Sequence, residues 1–295
     1  MLRYRGLGYV ALNVTDIKRS RRFYEEIVGL QFSGEHGDGG VLLKAGDHQH
    51  LILHHGENPG LKSLGWRLED ESQLDVLTKM LRRHDLSWAA LPARRCRALG
   101  VSRGVRISEP HTGATLDFFA SPGPTPRSPM KGPVDGLGHA VLRVFRYRPA
   151  VRFFEEVLNF QRSDEVDGWI SFLRCFPNPL HHSIGLANGA RNMLHHVNFI
   201  VRSAEDVKSA AERFQLAAVP IMSGPGRHPP SGSTFLYFLD PDGITLEYGH
   251  GMERFPEEAP RAPRVLPAVP ESLDFDANVR DPRIYAIGEI ETMSL

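Results

Sequence analysis

An internal repeat with one constant offset constrains the fold of this chain more than any other feature. GLGYVALNV, beginning at Gly6, matches GLGHAVLRV, which begins 130 residues later at Gly136. The same offset aligns RRFYEEIVGL with VRFFEEVLNF, and GATL near the end of the first copy with GITL near the end of the second. One offset held over this length indicates a duplicated domain of about 120 residues.

Each copy carries the same order of hydrophobic patterns. A strand, an amphipathic helix and several short strands occur in sequence, and this β-α-β-β-β order is repeated within the copy. We therefore expect an α+β fold of two tandem domains, each with two such units forming a curved mixed sheet around a concave pocket. The expected boundaries are residues 1–122, a proline-rich linker at 123–133, a second domain at 134–258 and an irregular Pro-rich tail at 259–295 that wraps the second domain.

Composition restricts the possible partners and sites. The 35 basic and 35 acidic residues cancel, which argues against a nucleic-acid or anionic membrane partner. The absence of a long apolar run and of a signal-peptide core predicts a cytoplasmic protein. With two cysteines and 14 histidines, a metal site would have to consist of histidine and carboxylate ligands.

One carboxylate needs a compensating partner. TFLYFL and ITLEYG, joined by the turn DPDG, predict a hairpin that buries Glu247 between apolar neighbours. A buried carboxylate is costly unless it is paired or binds a metal. Two strand histidines, His139 and His196, complete a two-histidine, one-carboxylate set, which suits non-haem Fe(II) and also accepts Mn(II).

The first copy of the repeat has different residues at the equivalent positions, and this difference supports the candidate ligand set. At the offset of 130 residues, Tyr9, Trp66 and Asp117 stand opposite the three candidate ligands. Two of the three positions are aromatic in the first copy. We therefore expect only the second copy to bind a metal ion.

Residues 5–255 resemble the type I extradiol ring-cleavage dioxygenases of the vicinal oxygen chelate superfamily, in which the first copy is inactive. The resemblance is carried by GLGHAVL, LHHVNF and TLEYG, and it implies that His139, His196 and Glu247 are the metal ligands. Within the family the chain is most similar to the enzymes for dihydroxybiphenyl, catechol and dihydroxy-p-cumate. The implied reaction is ring cleavage of a substituted catechol with O2 at Fe(II), giving a hydroxymuconic-semialdehyde-type product in aromatic degradation.

The resemblance also implies three acid/base or substrate-contacting residues. HHS indicates His182 as the acid/base, with His181 as the alternative because the spacing to His196 is 14 residues where 15 is expected. GRH indicates His228 as a substrate contact, and Tyr237 follows nine residues later. The expected partners are a catechol and O2, and a homo-oligomer is expected because such sheets often pack edge to edge.

Two alternatives share the fold: a metal-dependent isomerase or lyase of the glyoxalase type, and a non-catalytic protein that binds a small aromatic compound. The histidine-rich run HQHLILHH at 48–55 is interpreted as a packed or solvated strand end, and His250 as either a pocket-mouth or a surface residue. Three arginines, interpreted as surface residues, could instead receive a substrate carboxylate: Arg174, Arg191 and Arg227.

Overall fold

The computed structural model of the chain describes residues 1–35, 39–120, 132–276 and 278–293. Most of the expected linker at 123–133 lies outside the described residues, which include only its Gly132 and Pro133. No helix among the described residues is long and apolar enough to cross a membrane.

The described part of the first copy contains eight strands and three helices. They are β1 (Tyr4–Val14), α1 (Ile17–Glu26), β2 (Gln31–Glu35), β3 (Val41–Gly46), β4 (Gln49–His55), β5 (Gly60–Leu68), α2 (Ser72–Arg83), β6 (Ala89–Ala90), α3 (Ala93–Leu99), β7 (Gly104–Ser108) and β8 (Thr115–Ala120). The short helix α3 is an addition to the expected β-α-β-β-β order.

The second copy repeats this order without the extra helix. Its elements are β9 (Val134–Val144), α4 (Tyr147–Arg152), which continues into a π-helical turn (Phe153–Val157), β10 (Phe160–Val166), β11 (Ile170–Cys175), β12 (Ile184–Asn188), β13 (Met193–Val201), α5 (Ala204–Leu216), β14 (Ile221–Arg227), β15 (Thr234–Leu239) and β16 (Thr245–His250). The tail adds β17 (Arg264–Leu266), a 3₁₀ turn (Pro270–Ser272) and β18 (Glu289–Ile290).

Each copy forms one mixed sheet, which confirms the expected α+β fold of two tandem curved sheets. The first sheet runs β2-β3-β4-β1-β5-β8-β7-β6, and the second runs β14-β15-β16-β13-β9-β12-β11-β10-β17. In both, the two β-α-β-β-β units meet where the first strand of one unit pairs antiparallel with the first strand of the other. Alternating side chains from these central strands therefore point to a core face and to a concave face.

Strand register corrects one element of the repeat alignment. His196 pairs with Val141, whereas the equivalent Ala11 of the first copy pairs with Ser63. His196 therefore corresponds to Ser63 and not to Trp66, whose counterpart is Phe199. The alignment was wrong here because the offset is 133 residues on this strand but returns to 130 at Glu247, which occupies the same register position as Asp117.

The three extra residues lie in the connection between β11 and β12. Leu43 pairs with Leu51 in the first copy, whereas the equivalent Leu173 pairs with Ile184 in the second. The intervening segment is thus longer in the second copy, and it carries His181 and His182. Counted back from β12 with the offset of 133, His181 falls opposite His48 and His182 opposite Gln49, so His182 has no histidine counterpart in the first copy.

The two copies pack against each other through buried polar contacts. The hydroxyl of Tyr24 donates to Asp240 at 2.9 Å, and the hydroxyl of Tyr248 donates to the carbonyl of Val28 at 2.8 Å. The side chain of Gln49 donates to the carbonyls of both Leu7 and Leu137. These contacts satisfy polar groups in an otherwise apolar junction and fix the relative position of the two sheets.

The tail does more than wrap the second domain as irregular structure. β17 extends the second sheet by pairing with β10, whereas β18 pairs with β5 of the first sheet. The expectation of an irregular tail was wrong because two short segments of it pair with strands. One, RVL, lies between Pro263 and Pro267, and the other, EI at 289–290, follows the last proline at 282.

The ionisation of Asp240 provides a test of the junction between the two copies. Burial raises the pKa of Asp240 to about 7, although the backbone N–H of Ile244 and the hydroxyl of Tyr24 donate to it. The folded protein therefore keeps a proton that the unfolded chain loses above its ordinary pKa of 3.8. The contribution of this group to stability is greatest near pH 4 and falls as the pH rises to about 7.

We predict that Asp240→Asn, which keeps the hydrogen bonds but cannot ionise, gains stability relative to wild type as the pH rises from 5 to 7. Thermal unfolding midpoints at closely spaced pH values measure the difference. Asp276→Asn, at an exposed carboxylate, is the matched control and should show no such trend. A difference between Asp240→Asn and wild type that is constant over this pH range contradicts the prediction.

Candidate metal centre

Three neighbouring central strands bring the predicted metal ligands together. β9 carries His139, β13 carries His196 and β16 carries Glu247, and β13 pairs with both of the other strands. The His139 Nε2 atom lies 3.2 Å from His196 Nε2, and Glu247 Oε2 lies 3.1 Å and 3.0 Å from these two nitrogens. All three side chains are buried, with at most 3% of each residue exposed.

The donor atoms fit a divalent cation. Ligand atoms about 2.1 Å from a metal ion and at right angles to one another are about 3.0 Å apart, as these three nearly are. Among the residues that the structure describes, neither carboxylate oxygen of Glu247 has a well-aligned hydrogen bond, although both oxygens are fully buried. A carboxylate in this position needs a cation, and three donors on one face leave coordination positions open toward the cavity.

The protonation states also suit a metal ligand set. Burial opposes ionisation of Glu247, but the imidazoles of His139 and His196 hold its pKa well below the usual range. Burial lowers the pKa of His196 to about 4, even though Glu247 acts in the opposite direction. A charged carboxylate and a neutral imidazole are the forms that bind metal ions.

Tyr237 and His228 form a hydrogen-bonded pair beside the three ligands. Tyr237 stands directly opposite Glu247 in the β15–β16 hairpin, and its Oη lies 3.2 Å from His228 Nε2. The other ring nitrogen of His228 donates to the carbonyl of Leu273, so Nε2 is the acceptor and Tyr237 is the donor. Burial, reinforced by the charge of Glu247, raises the pKa of Tyr237 well above its usual range, which keeps the phenol protonated.

His182 lies over the ligands on the inserted connection. Its ring centroid is 4.0 Å from that of His139 and 4.9 Å from that of Phe172. His182 lines the cavity, whereas His181 lies behind it and bonds Asp164 at 2.8 Å. Since the Nδ1 atoms of the two histidines are 3.0 Å apart, the His181 N–H directed at Asp164 leaves His181 Nδ1 to accept from His182.

Asp164 belongs to a second group of potential metal donors, with His181 and Glu253. This group is already neutralised. Arg261 bonds both carboxylates and Arg264 also bonds Asp164. Burial opposes the ionisation of Asp164, but His181, Arg264 and Arg261 hold its pKa well below its usual range. The guanidinium groups occupy the place that a cation would take, so this cluster orients His181.

The ligands open onto a cavity of about 100 Å³. Its walls combine the predicted site residues with apolar side chains, among them Val141, Trp169, Ile170 and Phe172. The tail closes it with three residues that the sequence did not indicate as functional: Leu273, Arg280 and Tyr285. No local pattern identifies them, because their role depends on a return of the chain from the far side of the domain.

Tyr285 has an unusual backbone conformation. Its φ angle is +60°, in the left-handed region that a bulky residue rarely adopts. The residue is held there by a hydrogen bond from its N–H to Thr245 Oγ1 at 3.0 Å, and its ring stacks on His195. This local strain places the phenol at the cavity wall, since Tyr285 is one of its lining residues.

The remaining sequence candidates lie away from this cavity. Arg174 was expected at the surface but is buried, donating to Gln161 at 2.5 Å, because its guanidinium packs over the rings of Phe176 and Phe255. Arg191 and Arg227 bond backbone carbonyls outside the cavity.

His250 bonds the carbonyl of Val201 in a separate cleft. The run at 48–55 begins in a turn at His48 and continues as β4, and it forms no group of metal donors among the described residues.

At the equivalent location in the first copy, other protein side chains neutralise the buried carboxylate. Asp117 accepts a hydrogen bond from the hydroxyl of Tyr9 and a bidentate contact from Arg106 at 2.5 and 2.6 Å. Arg106 faces Asp117 across the β7–β8 hairpin, in the position that Tyr237 occupies opposite Glu247. A guanidinium thus neutralises the buried carboxylate of the first copy without a metal ion.

Comparisons with known proteins agree with this architecture. The chain is 26% identical to a biphenyl-2,3-diol 1,2-dioxygenase of Sphingomonas paucimobilis over 85% of its own length and 90% of that protein. A crystal structure of a halotolerant catechol dioxygenase superposes with a TM-score of 0.81 at 25% identity, over 92% and 93% of the two chains. The Mn(II)-bound glyoxalase from Novosphingobium aromaticivorans superposes with a TM-score of 0.83 at 24% identity, over 99% and 96%.

The expected vicinal oxygen chelate fold is therefore confirmed. The pattern of one superfamily matches the chain twice, at residues 6–120 and at residues 136–248. These two segments include most of the chain and coincide with its two sheets. The chain belongs to the Glyoxalase/Bleomycin resistance protein/Dioxygenase superfamily.

Proposed function

We propose that this protein is an extradiol dioxygenase that cleaves the ring of a substituted catechol with O2 to give a hydroxymuconic-semialdehyde-type product. The observation that carries the proposal is the combination of a two-histidine, one-carboxylate donor triangle with three acid/base groups around one apolar cavity. The similarity to biphenyl-diol and catechol dioxygenases supports it. A cytoplasmic location and a homo-oligomeric state are further parts of the proposal.

In this proposal His139, His196 and Glu247 hold Fe(II), with Mn(II) as the alternative. Mixed imidazole and carboxylate donors accept both ions, and the donor spacing fits either. When bound, the ion supplies the redox-active centre and the template on which the two substrates meet.

Tyr237 and His228 provide a route for a catechol proton. Tyr237 Oη is a donor to His228 Nε2, so a hydroxyl placed beside Tyr237 can lose its proton through the phenol to that nitrogen. His228 Nδ1 is fixed on the Leu273 carbonyl, which keeps Nε2 as the basic atom. The pair thus activates the substrate and orients its oxygen.

His182 is the proposed acid/base on the opposite wall. Its Nδ1 proton points to His181, which is held by Asp164, so His182 Nε2 is the atom available to take up and return a proton. Burial, followed by the neighbouring His139, lowers the pKa of His182 well below its usual range. The histidine is therefore neutral at rest and can act first as a base.

The cavity indicates the substrate class. A volume of about 100 Å³ is on the order of the engineered cavities that take up benzene, which favours a single-ring catechol. Arg280 is the one arginine among the described residues that line it. We propose that Arg280 receives an anionic substituent of the ring, a role that the sequence suggested for other arginines.

The similarity to a Mn(II)-bound glyoxalase favours one second candidate, a metal-dependent isomerase or lyase. The arrangement in the first copy argues against an active site shared between copies, because Asp117 is neutralised by Arg106. Oxygen consumption distinguishes the two candidates, since an isomerase consumes none.

We predict that the ferrous protein, purified without oxygen, takes up one O2 per catechol and forms a yellow ring-fission product.

Tyr237→Phe should lower kcat by roughly a hundredfold, because it removes the proton route while keeping the ring. Tyr248→Phe is the matched control, since that hydroxyl bonds the Val28 carbonyl at the domain junction. Absence of oxygen uptake with every catechol tested, from a protein of verified iron content, would rule out the dioxygenase.

Metal content provides a test that is independent of turnover. Glu247→Gln should retain less than about a tenth of the Fe(II) or Mn(II) bound by wild type, because the buried anion is lost. Glu253→Gln should retain the full metal content, since Glu253 is bound by Arg261. Elemental analysis after dialysis measures both, and equal metal loss in the two variants would place the ion elsewhere.

Substrate preference tests Arg280. We predict that Arg280→Gln lowers kcat/KM for a carboxylated catechol by roughly tenfold or more, because a charge-assisted contact is lost, while a methylcatechol is little affected. Arg191→Gln removes the same charge from a residue outside the cavity and should change neither value. An equal loss for both substrates would show that Arg280 supports the fold and does not select the substituent.

A further inference from the structure

His195, the residue before the candidate ligand His196, contacts that ligand directly. The Nδ1 atoms of the two imidazoles are 2.7 Å apart. His196 presents its Nε2 atom to Glu247 at 3.0 Å, so Nε2 is the nitrogen that belongs to the donor set and Nδ1 carries the ring proton. His196 Nδ1 therefore donates a hydrogen bond, and His195 Nδ1 accepts it.

An irregularity in β13 makes this contact possible. Adjacent residues of a regular strand point to opposite faces of the sheet, which would separate the two imidazoles. In the pairing of β13 with β9, however, Leu194 lies opposite Leu142 and His196 lies opposite Val141, so His195 is an extra residue. A β-bulge of this kind re-aims side chains, and here His195 and His196 line the same cavity.

The first copy has the same bulge with a different residue. In the pairing of β5 with β1, Lys62 is the extra residue between Leu61 and Ser63, and it is the counterpart of His195. A lysine ammonium has no acceptor and cannot receive a hydrogen bond from a neighbouring ring. The bulge thus belongs to the duplicated fold, whereas the pair of imidazoles belongs to the second copy alone.

The tail holds the ring of His195 from its other side. The ring of Tyr285 stacks on it with 3.3 Å between the centroids and 26° between the planes. A stacked ring restricts rotation of the imidazole about its Cβ–Cγ bond. The Nδ1 lone pair, which lies in the ring plane, therefore stays directed at His196.

The backbone of the tail is also seated at the bulge. The N–H of Leu194 donates to the carbonyl of Gly288 at 2.7 Å. A Cβ atom at Gly288 would lie 2.2 Å from the carbonyl oxygen of Leu194, so this approach requires a glycine. The tail thus contacts both His195 and the residue before it.

We propose that His195 is a positioning residue of the candidate metal centre and that the tail, through Tyr285, sets its position. His195 fixes the tautomer and the orientation of His196, because rotation of the ligand ring would break the hydrogen bond between them. This inference rests on the metal site of the proposed function and not on the reaction with O2. It makes the tail a determinant of metal affinity, although the tail supplies no member of the donor set.

The affinity of the metal-free protein for Mn(II), measured by competition with a chromophoric chelator, tests the role of His195. His195→Phe keeps a ring beneath Tyr285 but has no acceptor, and it should raise the Kd by roughly tenfold or more. His195→Asn loses the ring but places an amide oxygen near the position of Nδ1, and it should recover most of the affinity. A residue that only fills space would give the opposite order.

The control is His250→Phe, which removes an imidazole bonded to the Val201 carbonyl in a separate cleft and should change the Kd little. For the tail, Tyr285→Leu should raise the Kd severalfold, whereas Tyr285→Phe keeps the stacked ring and should bind Mn(II) as wild type does. Circular dichroism of each metal-free variant verifies that it is folded.

A Kd of His195→Phe equal to that of wild type would overturn the proposal, and a wild-type Kd in Tyr285→Leu would overturn the part assigned to the tail. A wild type that binds no Mn(II) or Fe(II) would overturn both this proposal and the metal centre. A wild type that binds Fe(II) but consumes no O2 would contradict the dioxygenase alone, and the two failures are thereby distinguished.

Discussion

The need to neutralise one buried carboxylate in each copy governs the design of both concave faces. Glu247 and Asp117 occupy the same register position on the third central strand, where burial makes an isolated charge untenable. In the first copy Arg106 supplies the compensating charge from within the chain. In the second copy the equivalent position is Tyr237, which supplies no compensating charge. The exchange of an arginine for a tyrosine thus separates the ion pair of the first copy from the candidate metal centre of the second.

The other groups at the candidate site lie on segments that the two copies do not share. The longer connection between β11 and β12 brings His182 over His139, with His181 and Asp164 behind it. Arg261 and Arg264 from the tail then hold Asp164. The duplication therefore provides the sheet and the positions of the candidate ligands, whereas an insertion provides the proposed acid/base residue His182 and the tail closes the cavity.

The sequence was informative where the chemistry follows a local pattern. His139, His196 and Glu247 each stand in a short apolar strand. The alternation of side chains along a strand predicts which face of the sheet each one occupies, and burial of a polar side chain on that face indicates a partner. The pairing of His196 with Trp66 was wrong because two compensating length changes are invisible when one offset is applied throughout. Arg280 and Tyr285 could not be found for a different reason. Their place in the cavity depends on the path of the tail, and Tyr285 reaches it through a left-handed backbone conformation that no propensity favours.

The path of the tail also gives the first copy a structural role at the candidate metal centre. Tyr285 lines the metal-centre cavity, and a few residues later Gly288 accepts a hydrogen bond from the backbone of Leu194. β18 then pairs with β5 of the first domain, and Glu291 binds Lys62. A strained residue persists only if its surroundings hold it, and here the first domain anchors the far end of the strained segment. The first copy thus contributes to the candidate site of the second domain through the tail segment that leads from Tyr285 to β18, although none of the proposed metal ligands lies in the first copy.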